Sequence, residues 1–195
     1  ITKFDFNADS AAIKADYEGY EGKIVKVAGR LMSKRGQGKV MFCDLQDASG
    51  RVQIYLKYDE MDAAEYEDCR KLDIGDIVGV TGDVFRTQRG EISVRANHVI
   101  LLAKALLPLP DKFHGLTNVE TRYRQRYVDL IVNPEVRRTF EIRSKFISHV
   151  RRYLDDRGYM EVETPVLNTI SGGATARPFI THHNTLDLDM YLRIA

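Results

Sequence analysis

The residues best equipped for chemistry are an aromatic, amide, carboxylate and guanidinium set spread over the first half of the sequence. Val40 to Gln46, Arg51 to Lys57 and Glu91 to Ala103 alternate apolar and polar residues with the period of two of a half-buried strand. Met41, Cys43 and Leu45 share one face with Val52, Ile54 and Leu56, and with Ile92 and Val94. Phe42, Asp44, Gln53, Tyr55, Glu91, Ser93 and Arg95 then fall on the other face, with Val40 and Arg51. Arg35 hangs over it from the loop before the second strand. Flat aromatics can stack splayed bases, Gln and Glu can hydrogen-bond base edges, and Arg can hold phosphate or stack. Together these types suit single-stranded RNA. Other chemistry is poorly supplied: no GxGxxG, P-loop or Ser/His/Asp arrangement is present. His182 and His183 are adjacent in an extended stretch and point apart, so they make no metal pair. Cys43 falls on the inward face and Cys69 in an acidic helix, and both read as structural.

A scaffold for that face follows from the same patterns. Ile24 to Leu31 reads as a first strand, followed by the loop SKRGQGK at 33–39. The strand at Val40–Gln46 turns tightly through Asp47–Gly50 into the third at Arg51–Lys57. Glu60 to Lys71 has helix formers and neither Gly nor Pro. Ile77–Arg86 is a fourth strand, Thr87–Gly90 a turn, and Glu91–Ala103 a fifth strand with a bend. Three strands, one helix and two strands is the order of the OB-fold, a partly open five-stranded barrel that binds oligonucleotides on its second and third strands. An SH3-like barrel competes, but rarely inserts a helix there. A competing reading of the face has Phe42 and Tyr55 packed under the second half of the chain.

Leu107-Pro108-Leu109-Pro110 is a stiff hinge, because each proline fixes its φ and disfavours helix in the residue before it. Thr117 to Glu120 reads as a capping box opening a helix to about Val132. Asn133 can cap the next helix, with Pro134 at its first position and Gly158 at its end. Along it Val136, Phe140, Ile147, Val150 and Leu154 form one apolar stripe. Short extended pieces follow at Tyr159–Val162, Phe179–Thr181 and Leu186–Ile194, giving an α+β half whose sheet is expected to be incomplete. The expected division is a barrel domain at 1–105, a linker at 106–116 and an α+β domain at 117–195.

A hydrophobic share of 44% beside 29% charged residues excludes wholesale disorder. No apolar run approaches the roughly 18 residues of a membrane span, and no signal peptide opens the chain. Two cysteines make neither a disulfide framework nor a four-ligand zinc site, so a reducing cytoplasm is expected. Lys and Arg total 29 against 28 Asp and Glu, which hides an asymmetry. Acids dominate from Asp59 to Asp83 and bases from Arg122 to Arg157, where a solvated helix face is commoner than a phosphate site. With no initiator Met, the sequence reads as a segment of a longer protein.

At this point the sequence resembles the class II lysyl-tRNA synthetases of bacteria and eukaryotes over nearly its whole length. LPLPDKFHGL at 107–116 is similar to that family's link between anticodon and catalytic domains. Glu120, then Arg122 to Ile131, resembles the opening of the catalytic domain, and Arg157 to Pro165 resembles class II motif 1. Gly172 to Phe179, with Thr181–Asn184 and Leu188–Ala195, resembles the most lysine-specific part. Aspartyl and asparaginyl synthetases carry a different loop there. The resemblance implies an OB-fold barrel followed by an incomplete class II catalytic domain, an antiparallel sheet with helices. It implies lysine–tRNA ligase chemistry: lysine attacks the α-phosphate of ATP, and the lysyl adenylate is transferred to the 3′ end of tRNA(Lys). It implies anticodon reading by Arg35, Phe42, Gln53 and Glu91, and closure of Gly172, Gly173 and Ala174 over lysine. A homodimer interface around motif 1 would include Arg157, Gly158 and Pro165. ATP and Mg²⁺ would be held mostly by motifs 2 and 3, which these 195 residues lack, so no catalytic residue and no metal ligand is expected here. Rival readings are a catalytically empty RNA-binding OB module and an aspartyl or asparaginyl synthetase. The related ligase that attaches lysine to an elongation factor lacks the barrel.

Overall fold

Alternating strands in the first half close on themselves. The computed structural model describes residues 3–110 and 116–194; part of the proposed linker, 111–115, and Ala195 lie outside the described residues. Strands β1 (Ile24–Gln37), β2 (Val40–Gln46), β3 (Arg51–Lys57), β4 (Ile77–Arg86) and β5 (Ile92–Ala103) form a closed barrel in the order β1-β2-β3-β5-β4. The pairs are antiparallel except β3 with β5. Helix α3 (Ala63–Arg70) sits between β3 and β4, as the OB-fold requires. Its cap is Asp62, which accepts from the amides of Ala64 and Glu65.

The structure changes several local expectations. SKRGQ is strand rather than loop: β1 runs on to Gln37, pairing with β4 through Arg30 and with β2 beyond it. An irregularity between Leu31 and Ser33 lets one strand serve both partners, because the extra residue bends it. Only Gly38 and Lys39 make the turn, with Gly38 at φ +59°. The bend expected in β5 is a register shift opposite Thr81 and Gly82. Helices α1 (Ser10–Ala15) and α2 (Tyr17–Tyr20) precede β1 and were not foreseen. Asp9 caps α1, the Ser10 amide bonds Asp47, and Ile13 enters the barrel core. That core is Val27, Leu45, Val52, Ile54, Val78, Val80, Val84 and Val94, all essentially inaccessible.

By contact the chain divides into two compact units, residues 1–133 and 134–195. The first includes α4 (Val119–Arg124) and α5 (Arg126–Val132), two helices where one was expected. Asn118, not Thr117, is the cap of α4, accepting from the Thr121 amide. Asn133 turns its amide to Asp129 and the Leu116 carbonyl. The second unit contains α6 (Pro134–Asp155), which ends as expected at Gly158. There the Gly158 amide bonds the Asp155 carbonyl and the Tyr159 amide bonds that of Leu154, with Gly158 at φ +79°. Residues 159–162 form no strand. Instead β6 (Leu167–Asn168), β7 (Ile180–His183) and β8 (Leu188–Leu192) form a small antiparallel sheet in the order β6-β8-β7. Among the described residues, no helix is long and apolar enough to cross a membrane.

Candidate nucleic-acid interface

Strand pairing sorts the outer face of the barrel into two adjacent rows. One row runs Arg35, Phe42, Tyr55, Arg95 and Asp83 across β1, β2, β3, β5 and β4. The next runs Ser33, Asp44, Gln53, Ser93 and Phe85. Directly paired residues on one face touch, so the register alone brings these side chains together. Of these, Arg35, Phe42, Gln53, Tyr55, Phe85 and Arg95 floor a groove of about 720 Å³, walled by Val40, Glu60 and the β4–β5 turn with Thr87, Gln88, Arg89 and Glu91. All four residues singled out by the resemblance, Arg35, Phe42, Gln53 and Glu91, line this groove.

Three aromatics form its base. Phe42 and Tyr55 lie 5.2 Å apart between ring centroids, and Tyr55 and Phe85 lie 5.5 Å apart edge to face. The Arg95 guanidinium sits 4.7 Å from the Phe85 centroid, with Asp83 at 3.8 Å and Glu60 at 3.9 Å from its Nε. Arg35 is 67% exposed along its side chain and only loosely paired with Asp44, at 3.9 Å. It therefore remains available to an anion. Asp44 accepts from Ser33 on its other oxygen. Gln53 accepts from the Ser93 hydroxyl at 3.0 Å. Glu91 is exposed and lies 3.4 Å from the Lys14 ammonium of α1. Beneath the face, burial pushes the Cys43 thiol up to about 12, as it does that of Cys69, which suits packing rather than reactivity.

Phe85 lay within reach of the sequence, because Val78, Val80 and Val84 are buried and the alternation of β4 sends Phe85 outward with Asp83. The pairing of Tyr55 with Arg95 did not, since it depends on barrel closure between strands distant in sequence. Ser93 faces this side, as alternation indicates, yet is wholly buried under Gln53. Lys14 belongs to α1, a short helix that the sequence patterns do not mark.

The basic stretch at 122–157 resolves partly into structural pairs. Asp129, wholly buried, accepts from Arg122 at 3.0 Å, from Arg126 and from the Asn133 amide at 2.7 Å. Burial alone would raise its pKa, but these donors outweigh burial and hold it below the ordinary aspartate value. Arg157 folds over Tyr153, 3.5 Å from the ring centroid, and donates to the Tyr153 carbonyl. Pro165 is exposed just before β6. Gly172, Gly173 and Ala174 lie together in the exposed segment between β6 and β7, with Gly173 at φ +103° and open space around Gly172. His182 and His183 diverge, His182 to Asp187 and Asp189 and His183 to the Leu186 amide. Among the described residues, no cluster of three or more His, Cys, Asp or Glu could hold a metal ion.

Residues 25–102 match the family model of the OB-fold nucleic acid binding domain, and residues 118–195 match that of class II tRNA synthetases (D, K and N). Over its full length the chain is 57% identical to a lysine–tRNA ligase of Thermoanaerobacter sp. strain X514. Over 99% of its length it is 56% identical to one of Carboxydothermus hydrogenoformans, and over all of it 53% identical to one of Clostridium perfringens. It spans about 39% of the length of such relatives. The OB-fold barrel agrees with the first of these matches, and over its whole length the chain is similar to lysine–tRNA ligases, with its second half matching the class II tRNA synthetase model.

Proposed function

We propose that this chain is the anticodon-reading domain and the first part of the catalytic domain of a lysine–tRNA ligase, divided at 1–105, 106–116 and 117–195. The observation that carries the proposal is the convergence of Arg35, Phe42, Gln53 and Glu91 on one groove of the barrel. In the groove a splayed base stacks on Phe42, Gln53 and Glu91 address base edges, and Arg35 holds phosphate or stacks. The Gly172–Ala174 segment would close over lysine, a role supported by its open surroundings, which let backbone amides approach a ligand. The ligase would use ATP and Mg²⁺ to form the lysyl adenylate and pass lysine to the 3′ end of tRNA(Lys). The described residues provide no cluster fit for the metal, and no step is assigned to them. A cytoplasmic location fits the tRNA substrate. Homodimerisation through motif 1, with Arg157, Gly158 and Pro165, is supported by the uncovered apolar face of α6.

The test is affinity for a lysine anticodon stem-loop at fixed, moderate salt, beside a second loop whose central anticodon uridine is cytidine. Clear preference for the uridine loop is expected. Equal binding that fades as salt rises would mean that only phosphate is read, and a generic RNA-binding OB module would replace the ligase reading.

A further inference from the structure

We infer that Lys34 is a positioning residue for the groove: by tying the outer part of β1 to the end of α3, it holds Arg35 where it meets nucleic acid. The inference rests on the anticodon reading of that groove. Through Arg30, β1 pairs with β4; from Ser33 on it pairs with β2 and no longer with β4. The stretch Ser33–Gln37 is polar and contains Gly36, so its own residues do little to favour a strand. With one edge left out of the ladder, such a stretch opens easily.

Lys34 closes that edge. Alternation turns it to the inner side with its partner Cys43, and turns Arg35 to the outer side with Phe42. The Lys34 ammonium donates to the Arg70 carbonyl at 2.6 Å and to the Leu72 carbonyl at 2.7 Å. α3 ends at Arg70, so the helix supplies no amide to these carbonyls, and a cation is favoured there. The anchor is firm, because Tyr66 and Cys69 of α3 are buried in the barrel core. Arg35 is tethered far more loosely, 67% exposed along its side chain and 3.9 Å from Asp44. Where its guanidinium sits therefore follows from where the backbone of β1 is held, and Lys34 holds it.

The experiment titrates the full chain with a lysine anticodon stem-loop over a range of salt. It compares wild type, Lys34→Met, Lys34→Arg, Arg35→Gln and the double variant Lys34→Met/Arg35→Gln, with thermal unfolding of each recorded alongside. Arg35→Gln is expected to weaken binding about tenfold. It should also lower the slope of log affinity against log salt by about 0.7, the share of one phosphate on a single strand. Lys34→Met should lose as much, and the double variant should bind within about twofold of Arg35→Gln alone. Lys34→Arg still has donors for both carbonyls and should restore wild-type affinity to within about twofold. If unfolding shows that Lys34→Met is not folded, Lys34→Gln takes its place in every comparison. Wild-type affinity in the folded Lys34 variant, no rescue by Lys34→Arg, or losses that multiply in the double variant would overturn the positioning role. A wild type that does not bind the loop, or Arg35→Gln binding as wild type does, would instead overturn the reading of the groove, and this inference with it.

Discussion

Phe42 offers one face to solvent because its other neighbours on the sheet, Arg35 and Tyr55, lie to either side rather than above it. Its ring is partly exposed in the groove, so its worth should show in binding rather than in folding. Phe42→Ala is expected to weaken binding of the anticodon stem-loop by about 1–3 kcal/mol, the value of one base stack. Isothermal titration would measure this, and an unchanged affinity would mean that bases do not stack there. Asp129 shows the opposite use of charge. It draws Arg122 and Arg126 into a cluster around a buried carboxylate that joins α4 to α5, so these arginines hold structure where the basic stretch favoured a solvated helix face over a phosphate site.

Two features tie barrel elements to the groove and to the exit of the chain. At Gly82 on β4, a Cβ would stand 1.9 Å from the Arg95 carbonyl oxygen of β5, so the strands approach too closely for any side chain. Gly82→Ala should displace β5 at Arg95, cost about 2–3 kcal/mol in urea unfolding and weaken stem-loop binding. Gly36→Ala, whose nearest neighbour would be 3.9 Å away, should stay within about 0.5 kcal/mol and serves as control. Below β4, the wholly buried Asp76 accepts from the amides of Asp73 and Ala105 and from the Lys104 ammonium, all at 2.8 Å. It fastens the end of β5 where the chain leaves the barrel. Burial alone would raise its pKa, but Lys104 and the two amides hold it below the ordinary aspartate value. A carboxylate with a depressed folded pKa stabilises above its unfolded pKa, and that contribution is lost as pH falls through the folded pKa. Thermal stability should therefore hold from neutral pH down to about pH 5 and decline below about pH 4. Asp76→Asn should cost about 2 kcal/mol at neutral pH and flatten the acid decline; an unaltered acid slope would assign the decline to other carboxylates, such as Asp129.

In the second unit, α6 leaves Phe146, Ile147, Val150, Tyr153 and Leu154 between 38% and 65% exposed. Phe146, Ile147, Val150 and Leu154, with Tyr159 and Met160, line an apolar groove of about 410 Å³. An apolar surface of this kind marks an interface, and the proposed homodimer is what would cover it. Sedimentation should find the chain self-associated, and Phe146→Glu should return it to monomer without altering unfolding of the barrel. A wild type that remains monomeric would remove the dimer proposal. The alternation of Met41 to Leu45 and of Val52 to Leu56, the turn at Asp47–Gly50 and the stop at Gly158 were all readable from the chain, because they depend on neighbours a few residues away. So was the outward placing of Phe42, Gln53 and Glu91. The continuation of β1 through a polar, glycine-containing stretch was not readable, since its partner strand rather than local propensity holds it extended. Nor were the split of α4 from α5, the burial of Ser93 beneath Gln53 or the contact of Arg95 with Phe85. Each needs residues distant in sequence to meet, and closure of the barrel and packing of its neighbours, not the local period, decide which do.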